Sequence, residues 1–164
     1  MTRVNLNTEM YFKKWVNMGT VKTNRLFNAI CEKLFPDWDH SGWVLTNSMA
    51  EWRRLAEEED LMDEPGEYNG LCDWNERVIL VNTDLRGLWL LATIVHEICH
   101  AITYDKKLSG RFIGKKTYKK YEKFLQTIHG EAWKKAMIHA HTMAWKAGWQ
   151  NLAIMIYNDW DMDH

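Results

Sequence analysis

The stretch from Leu85 to Tyr104 constrains this chain more than any other, because it is apolar on nearly every side and long enough to form one buried helix. Leu85, Leu88, Trp89, Leu90, Leu91, Ala92, Ile94, Val95, Ile98, Cys99, Ala101 and Ile102 cover most of its circumference. Thr83 or Asp84 is expected to cap it, the side-chain oxygen accepting from an unpaired first-turn amide. A helix so covered must lie at the centre of the fold, with the remaining elements wrapped around it. Its polar residues do not scatter. Thr93, His96, Glu97, His100 and Thr103 follow a spacing of three, four, seven and ten, which draws one stripe along an otherwise apolar cylinder.

Burying that stripe requires a partner, since an unpaired buried carboxylate or imidazole costs about a few kcal/mol. His96-Glu97-Ile98-Cys99-His100 is an HExxH pattern. Its two histidines project side by side from one helical face, and its glutamate stands ready as a general base. A zinc ion compensates the desolvation of neutral imidazoles and gives Glu97 a water to act on. Hydrogen bonding of these three residues to backbone and solvent at a helix surface is the blander alternative, and the apolar flanks speak against it. The pattern therefore points to zinc-assisted hydrolysis of a peptide bond, with His96 and His100 as ligands and Glu97 as catalyst.

A catalytic zinc takes three protein ligands and leaves a fourth position for water, so a third must come from elsewhere in the chain. Metzincin spacing would place it at Lys106 and the turn glycine at Thr103, which excludes that arrangement. Glu122 lies where a gluzincin-type ligand would fall, but Tyr118 to Lys123 reads as an exposed, charged helix face. His129 is preferred. Ile128-His129-Gly130 stands at the start of the last long helix, where a turn can aim the imidazole inward and Glu131 complements the helix dipole. His139 and His141 lie mid-helix, His141 bordering the apolar face and His139 off it. His40 and His164 bear no spacing relation to the motif, and Asp159 to Asp163 reads as a solvated acidic end.

Around the central helix, Thr8 to Met18 and Thr23 to Phe35 read as helices, the second with Leu26, Phe27, Ile30 and Leu34 on one face and Pro36 as its stop. Trp43 to Thr46 reads as a short strand and Met49 to Glu58 as helix. Tyr68 to Trp74 and Arg77 to Val81 read as two antiparallel strands joined near Asn75-Glu76. Lys115 to Gln126 reads as a basic helix. Gly130 to Ala147 reads as a helix that buries Trp133, Ala136, Met137, Ala140, Ala144 and Ala147 and ends at Gly148. With 164 residues, 46% of them hydrophobic, and only 2 Pro, a single helix-rich domain with its own core is expected. Within it, 1–42 holds N-terminal helices, 43–147 the catalytic core, and 148–164 a C-terminal helix and acidic tail.

Cys31, Cys72 and Cys99 are an odd set without a CxxC pair, so neither a disulfide framework nor a zinc ribbon is expected. The longest apolar run, Leu88 to Val95, is too short to cross a membrane, and no signal peptide is read at the N-terminus. A cytoplasmic monomer is the expectation. Net charge is −1, yet Glu51 to Glu76 carries roughly eight more acidic than basic residues, and Asp105 to Lys135 roughly seven more basic than acidic. The basic region 106–135 is either a solvated helix surface or a DNA-contacting one.

Gly70-Leu71-Cys72, Val78-Ile79-Leu80, LATIVHEICHA from Leu91 to Ala101, and His129-Gly130 followed by Trp133 together resemble the SprT-like zinc metallopeptidases, the Spartan group included. The resemblance runs from about Trp43 to Met137 and implies His96, His100 and His129 as zinc ligands with Glu97 as catalyst. It also implies a zincin-like α+β fold, with a small antiparallel sheet packed on the HExxH helix. Family members are linked to proteolysis of DNA-associated proteins. Neither the C-terminal CxxC ribbon nor the long tail of many relatives is expected here. Protein or peptide is the expected substrate, held by strand addition along Tyr68 to Trp74. Tyr104 or Tyr118 is a candidate oxyanion donor. A DNA-binding module with a structural zinc and no proteolysis is the rival expectation.

Overall fold

The computed structural model describes residues 19–48, 50, 51, 53, 54, 69–114, 116 and 129–162. Expectations for Thr8 to Met18, for Glu122 and Tyr118, and for all of Lys115 to Gln126 except Lys116 lie outside these residues. The elements run α1 (Gly19–Leu34), β1 (Val44–Thr46), β2 (Gly70–Asp73), β3 (Val78–Val81), α2 (Gly87–Thr103), α3 (Lys106–Ile113), α4 (Glu131–Lys146) and α5 (Gln150–Met162). The class is α+β.

As its composition requires, α2 is the central element, with Leu91, Ile94, Val95, Ile98, Cys99, Ala101 and Ile102 all buried. It packs against α4, α5, α3 and strands β2 and β3. Leu26, Phe27, Ile30, Cys31 and Leu34 turn one face of α1 into the same core, against β1 and α4. In α4 the buried set Trp133, Ala136, Met137, Ala140 and Ala144 recurs every three to four residues, and its small members let α2 and α5 approach closely.

Strand order is β1-β3-β2. The antiparallel pair is present, with Gly70 opposite Val81 and Asp73 opposite Val78, and the turn is fixed by Asp73 Oδ1, which accepts from the Glu76 amide at 3.0 Å. The sheet also takes in the strand read at Trp43 to Thr46: β1 joins β3 in parallel, Leu45 opposite Ile79. Hydrophobic alternation carries no strand direction, and a parallel pairing depends on a long crossover that local pattern does not reveal. β3 is the middle strand, Ile79, Leu80 and Val81 fully buried, and among the described residues β2 is an edge.

The start of α2 also differs from expectation. Neither Thr83 nor Asp84 caps it. Asn82 Oδ1 accepts from the Asp84 amide at 2.9 Å, the Leu85 amide bonds back to the Asn82 carbonyl, and Gly87 takes φ +55°, so the helix begins only at Gly87. Arg86 is the N-cap residue, and its side chain caps nothing; the guanidinium bonds the carbonyls of Thr83 and Leu85. Helix α3 adds to the elements expected from the sequence, and Asp105 caps it by accepting from the Leu108 amide at 3.0 Å. Among the described residues, no helix is long and apolar enough to cross a membrane.

The turn between α4 and α5 determines what reaches the site. Gly148 at φ +80° reverses the chain, and the Trp149 amide closes the end of α4 on the Ala144 carbonyl at 2.9 Å. His141 Nδ1 then meets the Ala153 carbonyl at 2.9 Å, so residues equidistant from Ala147 face each other across the antiparallel pair. In that register Asp159 returns to the level of Lys135, within a turn of Trp133.

Candidate metal centre

His96 and His100, one turn apart on α2, place their rings 4.9 Å apart. The third imidazole arrives from the residue before Gly130, the N-cap of α4. His129 sits in the left-handed region at φ +53°, a conformation costing a non-glycine residue about 1–2 kcal/mol. The surrounding contacts hold it there, and the turn aims the ring back at α2, as read from Ile128-His129-Gly130. His129 Nε2 lies 3.0 Å from His96 Nε2 and 3.1 Å from His100 Nε2, and His96 and His100 Nε2 are 3.1 Å apart. These three residues form the metal-competent group found among the described residues.

Trp133 explains how three rings are held so tightly. It is fully buried and its indole touches all three, with ring centroids 4.9 Å from His96, 5.8 Å from His100 and 4.6 Å from His129. Its Nε1 also donates to the His96 carbonyl at 3.3 Å. The aromatic three residues beyond His-Gly is thus the floor of the cluster.

Three ring nitrogens in mutual contact cannot all be satisfied by one another. Each neutral nitrogen carries either a proton or a lone pair, so a closed ring of N–H···N bonds is unavailable. A cation between them satisfies all three lone pairs. Two nitrogens about 2.0–2.1 Å from one tetrahedral divalent ion stand about 3.3 Å apart, so the observed triangle fits a single ion after small ring movements. Burial and the neighbouring imidazoles push His100 down to about 3, which holds it in the neutral form that ligates metals. His96 Nδ1 lies 2.8 Å from Asp159 Oδ2.

Glu97 is 6% exposed, and burial raises its carboxyl to about 7, although His96 pulls it down and Asp159 pushes it further up. A carboxyl poised near neutrality can both take and give a proton. Glu97 and His96 line a cleft of about 530 Å³ whose walls are Gly70 at the edge strand, Trp89, Ala92 and Thr93 on α2, and Met155 and Asn158 on α5. The indole of Trp89 is 64% exposed at its rim. Cys99, inside the motif, faces the core, and burial pushes its thiol well up, which leaves it inert as a nucleophile.

The other sequence candidates lie elsewhere. His139 stacks on Phe112 at 4.5 Å and lies near Phe35, and His141 spans α4 and α5. His40 packs edge-on against Phe27. Tyr104 pairs with Trp74 at 5.5 Å and is not among the cleft's lining residues. Asp159 requires correction: it is no solvated end but a helical residue against His96, brought there by the Gly148 reversal. Comparison of the chain with family models, with curated proteins and with solved structures returned no match.

Proposed function

We propose that this chain is a zinc-dependent metallopeptidase of zincin-like architecture, with His96, His100 and His129 as ligands and Glu97 as general base and acid. The observation that carries this reading is the convergence of three Nε2 atoms within 3.1 Å beside a buried glutamate that opens on a cleft. When bound, zinc supplies Lewis acidity that lowers the pKa of a coordinated water and polarises a carbonyl. The protein's own part is positional. The three histidines present lone pairs on one side of α2, and the Glu97 carboxylate takes a proton from the attacking water and returns it to the leaving amine nitrogen.

The outer edge of β2, at the cleft, can pair with an extended polypeptide by strand addition, which favours unstructured substrates. The sequence resemblance to SprT-like peptidases supports the same chemistry. The exposed Lys106, Lys107 and Arg111 on α3 suit a substrate held on DNA, a partner that salt-dependent binding to a labelled duplex would test.

The test is Glu97→Gln. It is expected to retain zinc and lose at least a hundredfold in cleavage of an unfolded protein substrate. Cleavage at the wild-type rate by the variant would refute the role of Glu97, and an absence of cleavage by zinc-loaded wild type would refute the peptidase reading.

A further inference from the structure

We propose that Asp159 is a positioning residue for the metal centre: from α5 it holds the His96 ring and directs its Nε2 lone pair toward His100 and His129. The proposal rests on the three-histidine reading above and extends it to a third helix. A carboxylate at neutral pH offers only acceptor oxygens, so its 2.8 Å contact with His96 Nδ1 requires the proton on Nδ1. In the neutral ring, the form that ligates a metal, Nε2 is then bare, and it is the atom that lies 3.1 Å and 3.0 Å from its two counterparts. Without that bond, the imidazole could place either nitrogen toward the cluster in either tautomer.

The ring is held by two separate contacts. Trp133 packs against it in a T-shaped arrangement at 4.9 Å and 62°, and Asp159 bonds its Nδ1. Both side chains of the pair are largely shielded, 19% exposed for His96 and 26% for Asp159, so water competes weakly for the bond. Carboxylate partners of this kind tune the affinity of a histidine site. Because Asp159 reaches His96 only when α5 is folded back on α4 and α2, metal loading and docking of α5 are linked, and loading should slow amide exchange in 150–162.

The test compares wild type, Asp159→Ala, Asp159→Asn and Ile156→Val. Ile156→Val thins the packing of α5 without touching the carboxylate. Zinc affinity is measured by competition with a chromophoric chelator, and imidazole 15N shifts are recorded on the metal-free proteins. Asp159→Ala should bind zinc about 10–100-fold more weakly, Asp159→Asn by an intermediate factor, and Ile156→Val within about threefold of wild type. His96 should show protonated Nδ1 and bare Nε2 in wild type and a mixture of tautomers in Asp159→Ala. An Asp159→Ala protein with wild-type affinity, or with His96 shifts unchanged, would overturn the proposal. A wild type that takes up no zinc would refute the metal reading instead, and the nitrogen shifts would still decide for or against Asp159.

Discussion

Glu97 owes its position to a residue with no side chain. A Cβ on Gly70 would stand 2.9 Å from Glu97 Cγ and from Thr93 Cγ2, and 3.1 Å from Glu97 Oε1, so only glycine lets β2 approach α2 this closely. Gly70→Ala is therefore expected to displace the glutamate, lowering kcat/KM at least tenfold while zinc content stays at the wild-type level, with a stability loss of about 1–3 kcal/mol. Undiminished activity in that variant would contradict the account of how Glu97 is seated. The convergence of His96 and His100 was legible because their spacing is local, and that of His129 because it stands at the start of a helix, where a turn can aim the ring inward. Asp159 was not. Its partner lies 63 residues away in sequence, and an acidic C-terminal run has the composition of a solvated end.

At the scale of elements, periodicity identified α1, α2 and α4 within a few residues, because each hides one apolar face in a common core. The start of α2 was misread, since the Asn82 turn and the left-handed Gly87 compete with the caps that Thr83 and Asp84 offer. The direction of β1 could not be read, because pairing partners are set by tertiary packing. α3 is short and basic, so although Asp105 signals its start, composition hides a helix that buries Leu108. The reversal after α4 was legible as a stop at Gly148, but not as the device that carries Asp159 to the site. Gly148 at φ +80° has open space where a Cβ would lie, so Gly148→Ala should cost about 1 kcal/mol through backbone strain alone. Denaturant unfolding checks this, and Gly148→Asn should lose less, because asparagine tolerates the left-handed region.

Across the whole molecule, the response to acid draws on a histidine outside the proposed metal site. His139, stacked on Phe112 and outside the three-histidine group, is held below its ordinary value of 6.5 mainly by burial, which the Leu34 backbone and Asp37 oppose. The unfolded chain takes up this proton near pH 6.5, while the folded protein resists until lower pH. Its contribution is thus intact above pH 6.5 and is lost as pH falls through the folded value. Wild type should consequently lose stability relative to His139→Gln between pH 7 and pH 5, measured on the metal-free proteins; a constant gap would contradict this.

Three histidines, two on α2 and one in the turn before α4, are proposed to hold one metal ion, and elemental analysis of purified wild type beside His129→Ala tests this most directly, with circular dichroism showing both proteins folded. About one zinc per wild-type chain, lost from the folded variant, is the predicted result. A folded wild type that takes up no divalent metal when supplied with it, or a variant that retains the full complement, would contradict the account.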